Sequence, residues 1–234
     1  SVQLYASAAP HCHFTAWNDG STLNPRIITL TGHQSYTALF EKDTISYLVM
    51  YDNQDSAYYA QLYENEDVVI RMAVLARTIK ANTLSTICLP FDVPDLTKTD
   101  LCGSVYRFIS ATGDGFEGIH FSFTFTNEIK AGVPYILLST DTIVNPFFQN
   151  VRLKAPVERT ITGEDVTFFA SLRPILIPYD PTYFGFAQNM VWAPSTQGMN
   201  INAFRCYFKN IAKSAQSAKY IRILDRKSTR LNSS

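Results

Sequence analysis

The stretch GIHFSFTFTN, residues 118–127, decides the fold class of this chain of 234 residues. Apolar and polar side chains alternate along it, with Ile119, Phe121, Phe123 and Phe125 in one set of positions and His120, Ser122, Thr124 and Thr126 in the other. Because successive side chains of a β-strand point to opposite faces of the sheet, this period of two predicts a half-buried strand in an antiparallel sheet.

The neighbouring sequence extends this pattern. SVYRFIS, residues 104–110, has the composition of a strand, and ATGDGFEG, residues 111–118, supplies turn residues, so the three segments predict a β-hairpin. Further segments have strand character: TISYLVMYD, SAYYAQLY, DVVIRMAVLA, PYILLST, VTFFASL, NAFRCYFK and KYIRIL.

Helix signals are few. They are confined to one short turn in VPDLTKTDLCG, residues 93–103, and to NIAKSAQSAKY, residues 210–220. Many short strands with few helices predict an all-β fold, either a β-sandwich or a barrel, and of these we expect an antiparallel β-sandwich of jelly-roll type.

The amino-acid composition excludes several classes of function for this chain. Hydrophobic residues make up 46% of the chain, which excludes global disorder. The 20 basic residues balance the 20 acidic ones without a basic stripe, which argues against a nucleic-acid partner. No apolar run approaches the ~20 residues of a membrane-spanning helix, so no membrane span is expected. The chain lacks an initiator Met and a signal segment, and we interpret it as a fragment of a longer protein.

Residues 1–42 resemble a known bacterial repeat. The stretch HFTAWNDGSTLNPRIITLTGHQSYTALFEK is similar to the closing part of the internalin B-repeat-like family, and the matching residues are Phe14, Trp17, Asp19, Gly20, Asn24, Pro25, Arg26, Thr37, Ala38 and Phe40. The resemblance implies a tandem repeat of surface or secreted proteins. It also implies that Trp17 is buried, and that this copy has lost its first strands and has an incomplete core.

Residues 43–225 resemble a second family. The segments NTLSTICLPFDV, IKAGVPYILL, VNPFFQNVRL and INAFRCYFK follow, in this order, the pattern of a β-sandwich module of secreted and surface proteins of the Bacteroidales group. Cys206 stands where the family usually has Ala, and the usual Trp near Leu84 is missing. The resemblance implies a role in extracellular display, spacing or adhesion.

The last residues depart from both families. DRKSTRLNSS resembles the translation of a sequencing adapter, and we exclude residues 226–234 from the fold. Without Arg226, Lys227 and Arg230 the chain has 17 basic residues against 20 acidic ones, so the remainder is mildly acidic.

The stretch STICLPFDVP, residues 85–94, places a hydroxyl, a thiol and a carboxylate close together. A catalytic Cys needs a lowered pKa, from a His or a helix N-terminus beside it, and no His lies near Cys88 in the sequence. We interpret Cys88 as an inert core thiol on a buried strand that ends at Pro90, with Phe91 as an anchor. A single Cys88–Cys102 disulfide is an open alternative.

Histidines and carboxylates are further candidates for metal or acid–base sites. PHCH holds His11 and His13, which can begin a metal site, but no third ligand accompanies them, and we interpret both as surface residues. YENED, residues 63–67, is interpreted as a solvated turn between two strands. We therefore expect no catalytic residue, no metal site and no cofactor.

Aromatic residues are the remaining candidates. Tyr179, Tyr183 and Trp192 lie near a predicted hairpin and are candidates for stacking on a sugar ring. The alternative, which we favour, is that they are ordinary residues of a sheet.

The sequence thus favours a non-catalytic extracellular module of a bacterial cell-surface or secreted protein, acting in display, spacing or adhesion. Its partner is expected to be a host or dietary glycan or a protein. The alternatives are a carbohydrate-binding module of a larger glycan-degrading enzyme, or an enzyme whose site is assembled from distant residues.

Overall fold

The computed structural model describes residues 1–113, 119–187, 190–192, 195–212 and 221–225, and for residues 187, 190–192 and 221–225 it describes the backbone alone. Strands predominate in this part of the chain, which confirms the all-β prediction, while the jelly-roll sandwich stays a prediction. The helical segments are α1 (Ser56–Glu64) and a 3₁₀ turn (Leu96–Lys98), and the latter confirms the short turn predicted after Pro94. The second helix candidate falls largely on residues 213–220, which lie outside the described residues.

The strands, in chain order, are β1 (Val2–Leu4), β2 (Cys12–Trp17), β3 (Arg26–Ile28), β4 (Ala38–Lys42), β5 (Thr44–Ile45), β6 (Leu48–Tyr51), β7 (Val69–Ala76), β8 (Thr78–Ile79), β9 (Ser85–Ile87), β10 (Val105–Thr112), β11 (Ile119–Phe125), β12 (Tyr135–Leu137), β13 (Ile143–Val144), β14 (Phe147–Arg152), β15 (Thr160–Thr162), β16 (Val166–Ser171), β17 (Ile175–Ile177), β18 (Tyr183–Ala187), β19 (Met190–Trp192), β20 (Met199–Ile201), β21 (Arg205–Asn210) and β22 (Ile221–Asp225).

Residues 1–42 form two small antiparallel ribbons, β1 with β3 and β2 with β4. The indole of Trp17 is 5% exposed and donates a hydrogen bond to the carbonyl oxygen of Leu23 at 2.8 Å, which confirms the predicted burial. The guanidinium of Arg26 pairs with Asp19 at 2.8 Å and lies 4.8 Å from the ring centroid of Tyr36. Residues of the repeat motif therefore contact one another.

This N-terminal segment has little core. Its buried hydrophobic side chains are those of Ala6, Trp17 and Ile28, and none of them belongs to the large core of the remaining chain. Large apolar side chains stay exposed in the same segment: Val2, Tyr5, Leu23, Ile27, Leu30, Leu39 and Phe40. Few of the apolar side chains of this segment are therefore buried.

One segment differs from its predicted structure. SAYYAQLY, residues 56–63, forms most of α1 instead of a strand. Asp55 caps the helix by accepting a hydrogen bond from the backbone N–H of Tyr58 at 2.9 Å, and buried Tyr59, Leu62 and Tyr63 recur with helical spacing. The helix connects β6 to β7, which pair in parallel, and a parallel pair needs a crossover connection that a tight turn does not supply.

The cap of α1 gives a direct test of this assignment. Asp55→Ala should lower the free energy of unfolding by about 1 kcal/mol, because the N–H of Tyr58 loses its acceptor. Urea denaturation followed by circular dichroism measures the change. Gln61→Ala, on the exposed side of the same helix, should change stability by less than about 0.5 kcal/mol. Equal effects of the two substitutions would contradict the cap.

Two five-stranded sheets form the centre of the molecule. The first has the order β22-β11-β10-β12-β9, and the second has the order β15-β16-β21-β18-β19. The predicted hairpin is confirmed by the antiparallel pairing of β10 with β11, although its turn, residues 114–118, lies outside the described residues. β22 pairs with β11 in parallel at the edge of the first sheet.

Aromatic side chains join the inner faces of the two sheets. Phe108 on β10 and Phe121 on β11 lie with ring centroids 6.2 and 5.2 Å from that of Phe208 on β21. Phe208 also stacks on Phe168 of β16 at 4.2 Å and on Phe184 of β18 at 5.2 Å. Such pairs contribute about 0.5–1.5 kcal/mol each beyond their buried area, so Phe208 is the central residue of the core.

Removing the ring of Phe208 should strongly destabilise the fold. Phe208→Ala is expected to lower the free energy of unfolding by about 3–5 kcal/mol, because it leaves a cavity between the sheets. Tyr179→Ala is the matched control, since its side chain is 58% exposed, and it should cost less than about 0.5 kcal/mol. Urea unfolding curves of the two variants decide the point, and a small effect of Phe208→Ala would show that the sheets do not meet there.

Candidate functional site

The thiol of Cys88 lies just beyond β9 and is fully buried, at 0% exposure. Its Sγ donates to the carbonyl oxygens of Ser171 at 3.2 Å and Arg205 at 3.4 Å. Burial, and then the neighbouring thiol of Cys206, raise the pKa of Cys88, which is the opposite of the shift that activates a nucleophile. The prediction of a buried core thiol is confirmed. Cys102 is exposed and all four cysteines are free, so the Cys88–Cys102 disulfide is not formed.

Thiol labelling tests this placement. In the native protein a maleimide should modify exposed Cys102 readily and half-buried Cys12 more slowly. Cys88 and Cys206 should react roughly a hundredfold or more slowly than Cys102, since they become accessible only on opening of the core. Peptide mass spectrometry of native and urea-unfolded samples measures all four sites in one experiment. Fast native labelling of Cys88 would overturn its assignment as an inert thiol.

The histidines and carboxylates singled out in the sequence do not converge. His13 Nδ1 lies 3.0 Å from a carboxylate oxygen of Asp43, and both side chains are about half exposed. Over residues 1–113 and the other described ranges, no three His, Cys, Asp or Glu side chains gather as a metal site would require. Asp67 pairs with Lys42, and this hydrogen bond lowers the pKa of the carboxyl group. The expectation that YENED is a solvated turn between two strands is therefore correct only for its exposed carboxylates, because Tyr63 and Glu64 form the end of α1 and Tyr63 is buried.

The aromatic candidates do not form one platform. Tyr179 is exposed, whereas Tyr183 is half-buried and packs on a small cluster of Ile177, Met199 and Ile201. The Lys209 ammonium nitrogen lies 4.7 Å from the ring centroid of Tyr183. The side chain of Trp192 lies outside the described residues. Tyr183 is therefore a residue of a satellite core, as the favoured alternative states.

The structure contains a different candidate, a series of three depressions that share their walls. The first has a volume of 280 Å³ and is lined by residues that include Thr86, Phe186 and Arg205. The second, of 310 Å³, shares the wall formed by residues 200–202 with the first. The third, of 260 Å³, shares Phe186 and Arg205 with the first. We call the three together the polar groove.

Amide side chains line one part of the polar groove. Asn200 and Asn202 contribute to the first two depressions, and Asn53 and Gln54 contribute to the second. Each amide offers both hydrogen-bond donors and an acceptor. This part of the groove therefore matches a ligand with hydroxyl groups.

Arg205 is held at the wall between two depressions by an ion pair. Its Nε and Nη2 atoms donate to one carboxylate oxygen of Asp52, at 3.2 and 2.7 Å. Asp52 is buried, and its backbone carbonyl accepts a hydrogen bond from the N–H of Ala203 at 2.8 Å. The pair fixes the guanidinium in place where it lines the groove.

Arg77 is the second cation of the polar groove. It follows β7, is 6% exposed and lines the third depression, where its Nη1 donates to the carbonyl oxygen of Thr86 at 2.8 Å. Its Nε atom is buried and has no hydrogen-bond partner among the described residues, and the same is true of Ser85 Oγ. Burial, and then the nearby charge of Arg205, lower the pKa of Arg77 to about 9.

Comparisons with family models, with curated proteins and with solved structures found no match for this chain. The polar groove is therefore interpreted from its own geometry.

Sequence reasoning missed this groove. Its one local signal was Arg77, a single charge within the apolar run AVLARTI, since a charge among buried residues must find partners. The pairing of Asp52 with Arg205 joins residues 153 positions apart, which no local pattern indicates.

Proposed function

We propose that this chain is a non-catalytic module of a secreted or cell-surface bacterial protein, which acts in adhesion and display by binding a glycan in the polar groove. The observation that carries the proposal is the groove itself, with its amide side chains at one end and its arginines at the other. The extracellular setting is supported by the two sequence resemblances.

The volumes of the three depressions favour a polymeric ligand made of small units. Sites for compact organic ligands usually enclose roughly 300–1,000 Å³ and are mostly apolar. Each depression here lies at or near the lower end of that range, and polar side chains contribute to every wall. An extended polymer that places one sugar residue in each depression fits this arrangement.

The proposal also accounts for the N-terminal segment. If residues 1–42 are the end of a tandem repeat, as their motif resemblance suggests, they space the binding module from what precedes it. The mutual contacts of Trp17, Asp19 and Arg26 support this reading. No described helix has the length and apolar character needed to cross a membrane.

The polar groove would serve equally in a carbohydrate-binding module of a larger glycan-degrading enzyme, because both roles need the same contacts.

A glycan array probed with the full chain tests the proposal. We expect reproducible binding to a restricted set of glycans, and Asn200→Ala and Asn202→Ala should each weaken it roughly fivefold, as expected for the loss of one hydrogen bond. Gln149→Ala, an exposed amide on β14 outside the groove, is the control and should bind as the unchanged chain does. Absence of binding to every glycan on the array would refute the proposal.

A further inference from the structure

The charges of the polar groove are one-sided. Among the described residues that line its depressions, the charged ones are Arg77, Lys80 and Arg205, and all are basic. The whole chain, in contrast, has as many acidic as basic residues. The groove therefore carries an excess of basic residues, all of which line the third depression.

Only one of these cations has a carboxylate partner within the described part of the chain. Asp52 is engaged by Arg205, whereas Arg77 and Lys80 form no ion pair there. Lys80 is exposed, but Arg77 is almost completely buried. The carboxylate of Asp52 acts on Arg77 from nearby but is paired with Arg205, and a buried charge without a direct partner is costly. The lowered pKa of Arg77 expresses the same cost. An anion in the depression would relieve it.

Polar atoms without partners lie beside these charges. Arg77 Nε and Ser85 Oγ are both buried and lack partners among the described residues, and both residues line the third depression. Most buried polar atoms of a protein are hydrogen-bonded, and an exception calls for an explanation. Acceptor oxygens of a ligand supply the partners that both atoms lack.

The type of anion follows from the donors. A guanidinium presents parallel N–H groups that match the two oxygens of a carboxylate. The Nε and Nη2 atoms of Arg205 already bind Asp52, so Arg77, whose Nε atom has no partner among the described residues, is the guanidinium of this depression that an anion would contact. The neighbouring depression is lined by Asn200 and Asn202, which suit hydroxyl groups. A sugar residue with a carboxylate combines both chemistries in one polymer.

We propose that the depression lined by Arg77, Lys80, Ser85 and Arg205 binds the carboxylate of an acidic sugar residue, so that the polar groove recognises a uronic-acid polysaccharide. This inference rests on the proposed glycan-binding function and specifies its ligand class. Phosphate and sulfate polymers share part of the chemistry, and the experiment separates them from the carboxylate.

Affinity electrophoresis of the full chain tests the inference. The gels contain polygalacturonate or alginate, and parallel gels contain the esters of the same polymers, which keep the backbone but lose the charge. We expect retardation by at least one acid polymer and binding roughly tenfold or more weaker to its ester, as expected for loss of a charged hydrogen-bond partner. Dextran sulfate and duplex DNA should bind more weakly than the acid polymer.

Two charge-reversal substitutions test whether the acid polymer binds in the polar groove. Lys80→Glu changes an exposed residue of the groove and should weaken binding to the acid polymer about tenfold, without unfolding the chain. Lys98→Glu, at the exposed end of the 3₁₀ turn and outside the groove, is the matched control and should leave binding unchanged. Arg77→Lys keeps the charge but loses the planar fork, and it should also weaken binding if circular dichroism shows the fold intact.

The outcomes distinguish the inference from the function on which it rests. Equal binding to acid and ester would overturn the acidic-sugar inference and leave the glycan-binding proposal standing. Binding to dextran sulfate or DNA as strong as to the acid polymers, reduced equally by both reversals, would indicate general attraction of polyanions and would also overturn it. Failure of both acid polymers to bind, together with binding of neutral glycans on the array, rejects the acidic ligand alone. Failure of every glycan rejects both.

Discussion

The packing of Phe208 between two sheets is the contact on which the rest of the structure depends. Its ring contacts aromatic rings of both sheets. Separating the two sheets would therefore expose the apolar inner face of each. The interior between the sheets is closely packed, and a polar group can be buried there only if it has a hydrogen-bond partner. At the edge of the core, Thr86 of β9 meets that condition, because its hydroxyl donates to the carbonyl oxygen of Cys206 and accepts from the N–H of the same residue. These two bonds join the edge of one sheet to the centre of the other.

The polar groove lies at this join. Thr86 also offers its carbonyl oxygen to Arg77, and Arg205, one residue before Cys206, reaches Asp52. The same strands that close the core therefore hold two guanidinium groups at its border, where one has a carboxylate partner and the other has none among the described residues. Guanidinium groups that are held in place but lack a paired carboxylate are typical of binding sites. Stability alone would favour apolar residues at such a position.

Local patterns predicted those parts of the fold that depend on local chemistry. The alternation in residues 119–125 predicted β11, because every second side chain must face the core, and the apolar context of Cys88 predicted its burial. The strand expected over residues 56–63 was wrong, because its three tyrosines suit a sheet as well as a helix by composition. The N-cap residue Asp55 and the helical spacing of Tyr59, Leu62 and Tyr63 indicate the helix better than composition does. The sequence could not indicate the surroundings of the aromatic candidates, since exposure of a ring depends on what packs against it, as Lys209 does against Tyr183.

The sequence by itself determined the strand-rich fold class, the hairpin of β10 and β11, and the burial of Cys88. Each follows from residue type and spacing within a few positions, where the covalent chain already brings the relevant groups together. Only the tertiary structure decided the parallel placement of β6 and β7, the parallel edge strand β22 and the composition of the polar groove. The physical reason is sequence separation, because the pairing of Asp52 with Arg205 depends on how whole sheets meet, and no local preference of either residue specifies its partner.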